Sequence, residues 1–239
     1  MQIVFEMQHN KIQILCTRPV SQELIDRALE AGIEMEVISF IETEPIRTIE
    51  VQQEIEQASL HSATVVFTSG NAVEAVATEL EGHEPEWEIF CLGQSTLDLV
   101  TRYFGPGLIA GFADNAAELA ESIIETGGAT DVIFFCGDLR RPELTNSLQQ
   151  SGIEVEEIVV YQTVLVPQKL KKNYDGVLFF SPSAVNSFFE LNKAGEKTIF
   201  FAIGKTTAAE LKKKTTNKIL VSEEPTKETV VELAIEYYT

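Results

Sequence analysis

Apolar residues in this chain gather in short consecutive runs: Ile12–Cys16, Ala63–Phe67, Ile89–Leu92, Val132–Cys136, Gly176–Phe180 and Thr198–Ile203. Each run ends at Ser, Thr, Gly or Pro and leads into a stretch with helical spacing. A strand that is apolar on successive positions is buried on both faces, as in a parallel sheet covered by helices, so each run is expected to open a βα unit. After Cys16, for example, Pro19 and Ser21 precede Leu24, Ile25, Ala28 and Leu29 on one helical face, and Gly32 offers a left-handed cap. Strand, helix and strand in this order imply a right-handed parallel crossover.

The same pattern occurs twice. Cys16, Leu24, Gly32, Ile33, Glu34, Glu36 and Ile38 recur 120 residues later as Cys136, Leu144, Gly152, Ile153, Glu154, Glu156 and Ile158. VVFTSGNAV (65–73) and VLFFSPSAV (177–185) form a second pair, with Gly93, Ser95 and Thr96 matched by Gly204, Thr206 and Thr207. The repeats therefore run X, Y, X′, Y′. If each half needs one unit of either kind, the middle of the chain forms one α/β domain (48–160). The N-terminal unit then joins the C-terminal one in a discontinuous domain (1–40 with 168–239). The chain would cross twice, through extended connectors at 41–47 and 161–167 able to pair as a two-stranded ladder. Two crossings would permit hinged closure about a cleft.

Charge and cysteine usage narrow the partners. The 239 residues include 37 acidic and 18 basic, a formal net charge of −19, so nucleic acid and anionic membrane are not expected partners. No apolar stretch approaches the roughly 18 residues of a membrane span, and MQIVFEMQHNK lacks a basic flank before a sustained apolar run, so a cytoplasmic location is expected. Cys16, Cys91 and Cys136 stand alone with only His9, His61 and His83 to join them, which argues against a disulfide framework and against a zinc site.

Ligands of open α/β sheets bind at the carboxyl ends of the strands, beside helix N-termini. Thr68, Ser69 and Asn71 follow one strand here, Ser95 and Thr96 a second, Ser181 and Ser183 a third, Thr206 and Thr207 a fourth, with Gly93 and Gly204 at two of the turns. Arg18 follows the first strand, and Gly137, Arg140 and Arg141 follow its copy. Hydroxyls, amides and guanidinium groups suit a carboxylate or phosphate ligand. Helix capping alone accounts for any one of the hydroxyls, and solvation for any one arginine; ligand contact is the alternative for each. The glycine-rich nucleotide loops GxGxxG and GxxxxGK[ST] are absent, as is GxSxG. His61 and His83 precede strands and so belong at the end opposite the site.

Four segments in order, FTSGNAVEA (67–75), FFCGDLRRPEL with GIEVEEIVVYQTV (134–164), FFSPSAVNSF (179–188) and AIGKTTAAEL (202–211), resemble the uroporphyrinogen-III synthase family, over nearly the whole chain. The resemblance implies two HemD-like, flavodoxin-like α/β domains joined by a two-stranded connector. It also implies a cofactor-free, metal-free hydro-lyase acting on hydroxymethylbilane, a linear octacarboxylate, expected to work as a monomer. That reaction closes the bilane to uroporphyrinogen III with loss of water and inversion of ring D through a spiro intermediate; without enzyme the uninverted isomer I forms. Tyr161 matches the tyrosine the family places in its cleft, and the strand-end residues match cleft-lining positions. Lys205 departs from the family, which often has proline there. For an anionic substrate, Glu34, Glu36, Glu54, Glu56, Glu79, Glu81, Glu84 and Glu86 are expected on outer faces or in far loops. The competing reading is a non-catalytic hinge protein that binds an anionic metabolite.

Overall fold

The computed structural model describes residues 11–239; His9 lies outside them. In chain order the elements are β1 (Ile12–Cys16), α1 (Gln22–Glu30), β2 (Ile33–Val37), β3 (Ile41–Pro45), α2 (Ile49–Ser59), β4 (Ala63–Phe67), α3 (Gly70–Leu80), β5 (Trp87–Leu92), α4 (Gln94–Phe104) and β6 (Ile109–Ala113). They continue with α5 (Ala116–Thr126), β7 (Asp131–Gly137), α6 (Glu143–Gln150), β8 (Glu154–Leu165), β9 (Gly176–Phe179), α7 (Pro182–Leu191), β10 (Ile199–Ala202), α8 (Lys205–Lys214), β11 (Ile219–Val221) and α9 (Lys227–Tyr238). Two compact units result, residues 1–42 with 164–239, and residues 43–163.

The first unit carries a five-stranded parallel sheet in the order β11-β10-β9-β1-β2. Consecutive apolar residues are needed because helices cover both faces. Leu15, Phe179 and Phe200 pack with Val185, Phe188 and Leu211 on one side. Ile14, Cys16 and Phe201 pack with Leu24, Ala28 and Val230 on the other. Burial of each of the Leu, Ile, Val and Phe side chains contributes about 1.5–3 kcal/mol.

The second unit repeats the plan. Its sheet runs β3-β8-β7-β4-β5-β6, so β8-β7-β4-β5-β6 has the same order as β2-β1-β9-β10-β11. One face packs on α2, α3 and α4 through Ile55, Val73, Val76 and Val100, the other on α5 and α6 through Leu119, Ile123, Leu144 and Leu148. Gly32 and Gly152, which match in the repeat, stand just beyond α1 and α6 with φ of +79° and +81°, where a Cβ would be strained. In each sheet the chain reverses its direction of growth beside the first strand of the repeat, between β1 and β9 and between β7 and β4, which is where α/β sheets bind ligands.

The extra strand β3 lies at the sheet edge beside β8. Ile46 N–H donates to the Val160 carbonyl at 2.9 Å and Val166 N–H to the Phe40 carbonyl at 3.0 Å, so the two segments run in opposite directions. Residues 161–165 form the last part of the twelve-residue β8, whose pairing with β7 ends at Tyr161. Among the described residues no helix is long and apolar enough to cross a membrane.

Candidate active site

Tyr161 of β8 lies opposite Gly137, the last residue of β7, and within hydrogen-bond reach of Ser69, just beyond β4. Along β8, Ile158 and Val160 face the α2–α3 side of the sheet, while Val155 and Val159 face the other. Strict alternation would send Tyr161 with Val159. Instead the β7–β8 register slips between Cys136 and Gly137, which pair with Val159 and Tyr161. This bulge puts two successive residues, Val160 and Tyr161, against the same core. It is secured from β7, where Asp138 N–H donates to the Tyr161 carbonyl at 3.1 Å and the Asp138 carboxylate accepts from Thr163 N–H at 3.0 Å.

The redirected ring lies over Gly137, where an added Cβ would stand 2.4 Å from Tyr161 Cζ. Its oxygen reaches the start of α3. The Ser69 hydroxyl donates to Tyr161 Oη at 3.1 Å while Ser69 Oγ caps α3 by accepting from Ala72 N–H at 3.4 Å. The helix amide thus occupies a lone pair of Ser69 and the serine proton occupies one on Tyr161. The phenolic proton stays free to be donated outward, polarised by the chain of donors behind it.

Beside this ring is a cavity of about 170 Å³ lined by Asn71, Arg47, Glu74, Glu79, Ala75 and Tyr161. Glu79 was expected on an outer face and is instead half-buried here, because the groove between α2 and α3 opens toward the end of β8. The remaining acids of that group, Glu34, Glu36, Glu54, Glu56, Glu81, Glu84 and Glu86, are exposed. Arg47, which follows β3, was not singled out in the sequence; a lone arginine after a connector has no motif to mark it.

The other expected residues divide by exposure. Thr68, Ser181 and Ser183 are half-buried, and Ser95 and Thr206 are exposed near the N-termini of α4 and α8. Ser181 also caps α7, accepting from Ala184 N–H at 3.1 Å. Gly93 precedes α4 with φ of +83°, and Gly204 precedes α8 in extended conformation. Thr96 and Thr207 are only 3 % and 1 % exposed, since the third residue of each helix turns inward to the sheet.

The arginines differ from one another. Arg140 is held by Glu157 through its Nε at 2.7 Å and through Nη2, and Glu157 accepts from Thr145 Oγ1 at 2.7 Å. Its charge is therefore already neutralised by a carboxylate. The hydrogen bond from Arg140 holds Glu157 below the ordinary carboxyl range, and burial opposes it only in part. Arg18 is exposed after β1, yet the position matching it in the repeat is Asp138, so the three arginines are not equivalent. His61 and His83 stand before β4 and β5, at the amino ends of the strands, away from Tyr161.

Two doubly wound parallel α/β sheets, with hydroxyls and helix amides at their strand ends, define a class of small-molecule-binding α/β protein. The chain belongs to the uroporphyrinogen-III synthase HemD family, whose profile matches residues 22–232. It is therefore of a family of enzymes of tetrapyrrole biosynthesis that act on a small molecule. The fold is also that of uroporphyrinogen-III synthetase from Helicobacter pylori, at 17 % identity and TM-score 0.64, covering 95 % of this chain and 99 % of that one. A mutant uroporphyrinogen III synthase from Thermus thermophilus is similar at 16 % identity and TM-score 0.57, covering 95 % and 98 %.

Proposed function

We propose that the protein is a hydro-lyase that closes hydroxymethylbilane to uroporphyrinogen III, with Tyr161 as the proton donor to the departing hydroxyl. The observation that carries the assignment is the hydrogen-bond chain from Ala72 N–H through Ser69 to Tyr161, which leaves the phenolic proton available. In the first step the carbon–oxygen bond of the hydroxymethyl group breaks with its electron pair on oxygen, and the Tyr161 proton completes a water molecule. The azafulvene so formed is attacked by the substituted carbon of ring D to give the spiro intermediate. Fragmentation and reclosure at the other α-carbon then release that carbon's hydrogen as a proton, which restores the tyrosine. The balance is one water lost and no net change in the protein.

Geometry selects the isomer, and holding an octacarboxylate in one fold is the main task. Ser69, Thr68, Ser95, Ser181, Ser183 and Thr206, with the amides of α3, α4, α7 and α8, are the groups available for the acetates and propionates. The cavity beside Tyr161 is too small for a tetrapyrrole but admits a single side arm, with Asn71 and Arg47 as its polar contacts. In this reading the protein acts as a cytoplasmic monomer.

The test is to supply enzymatically generated hydroxymethylbilane and separate the oxidised products by chromatography. Isomer III is expected in excess over the enzyme-free control; isomer I alone would overturn the reading. Tyr161→Phe should keep the fold, read by circular dichroism, and lower turnover by about 10²–10⁴-fold, the range of a lost general acid.

A further inference from the structure

The formal charge is divided very unevenly between the two units. Residues 43–163 hold 21 acidic and 4 basic side chains with no lysine, a net −17, while the other unit holds 16 acidic and 14 basic, a net −2. An octa-anion is repelled by the first and almost unopposed at the second, so capture should begin on the second.

Within that unit the strand-end corner of β1 has an unusual feature. Helices α1 and α9 pack on the same face of the sheet and are tied along their length by Arg27 and Glu232 at 3.0 Å. Lys227, the first residue of α9, donates from Nζ to the Pro19 carbonyl at 2.9 Å, which fixes its ammonium group beside the loop that carries Arg18. Two cations thus share one corner, and among the described residues neither has a carboxylate within 4.0 Å. The ammonium group of Lys227 is partly desolvated and feels Arg18, both of which push its proton affinity down; Glu228 opposes this from the same helix. Ser21, at the N-cap of α1, makes no capping bond with its hydroxyl, so a further donor is uncommitted there. The corner adjoins the reversal point between β1 and β9, where a ligand is expected.

We infer that Lys227 and Arg18 together form a carboxylate anchor that takes the first hold on the octacarboxylate. The inference rests on the function proposed above and assigns Lys227 a part in it. A planar guanidinium beside a point-like ammonium receives one carboxylate with both oxygens engaged, and the anion relieves the repulsion between the two cations.

Lys227→Gln and Arg18→Gln should each raise KM for hydroxymethylbilane about tenfold, as expected for one charge-assisted contact, while kcat falls less than twofold and isomer III still forms. Lys227→Arg should restore most of the affinity. Lys197→Gln makes the same charge change at an exposed site before β10, at the far end of the strands, and should leave KM unaltered. Binding of uroporphyrin III, followed by its fluorescence, should weaken in Lys227→Gln in parallel with KM, and its salt dependence should become shallower. Wild-type KM and uroporphyrin affinity in Lys227→Gln would overturn the anchor, as would an equal effect in Lys197→Gln. A wild-type protein yielding only isomer I would instead overturn the proposed reaction, and uroporphyrin binding would still decide the anchor.

Discussion

The ring of Tyr161 occupies the space that a side chain on Gly137 would fill, since a Cβ on that glycine would come within 2.4 Å of Cζ and 2.7 Å of the phenolic oxygen. The two residues are coupled by contact across the β7–β8 bulge. In the repeat the matching residues are Thr17 and Ile41, and Thr17 uses its hydroxyl on the Leu178 carbonyl at 2.7 Å. A glycine in one copy and a threonine in the other therefore separate a strand end that accommodates a tyrosine from one that does not.

Gly137→Ala should displace the Tyr161 ring from Ser69 and lower turnover of hydroxymethylbilane by at least tenfold. Because the new methyl meets the tip of the ring rather than backbone, the fold should survive, with a stability loss of about 1–3 kcal/mol in urea denaturation. In a Tyr161→Leu background the same substitution should cost much less, and a double-mutant cycle reads that coupling. Additive losses would separate the two residues.

Acid should destabilise the protein partly through Glu157. Its carboxyl is held below the ordinary value of 4.5 by the hydrogen bond from Arg140. A group whose folded-state value is depressed contributes stability that is complete above its unfolded value and lost as pH falls through the folded one. Arg140 remains charged throughout that window, its own affinity for the proton being raised by the same bond. Urea midpoints measured at pH 6 and at pH 3.5 should therefore differ less in Arg140→Gln than in wild type, and that variant should be the less stable at pH 6. Identical pH slopes would show that the pair contributes nothing.

The three thiols should be inert in the native protein. Cys16, Cys91 and Cys136 are buried, and burial raises each to about 11. At pH 7.5 a thiol-specific chromogenic disulfide should label none of them on the minute scale and all three after denaturation. Rapid labelling of one thiol in the folded protein would place a frequent opening motion at that strand.

Much of the fold can be read from the chain because helices on both faces force runs such as ATVVF and VIFFC, and the repeat order tells which runs share a sheet. Other elements carry weaker marks. Strand β6 (IAGFA) is a half-exposed edge rich in small residues, and β11 has only three residues, so neither forms a conspicuous apolar run. At the site, Ser69 and Tyr161 stand out by residue type and position, but the bulge that brings them together is a one-residue slip of backbone register without its own side-chain signature. Thr96 and Thr207 show how side-chain direction escapes the sequence. Sequence proximity to a strand end suggested exposure, whereas helical phase one residue past Ser95 and Thr206 turns both inward. The pairing of Arg140 with Glu157, 17 residues away, depends on β8 lying beside β7.

The order of the two repeats also sets a timetable for synthesis. Residues 43–163 are contiguous and can fold as soon as they emerge, but β1 pairs with β9, whose first residue is Gly176. At about 5–20 residues per second, the N-terminal βαβ segment waits roughly ten to thirty seconds on the ribosome with one hydrogen-bonding edge of IQILC open. An unpaired apolar edge of this kind is a template for wrong pairing. The nascent chain, more than the finished protein, is where this architecture is most exposed to aggregation.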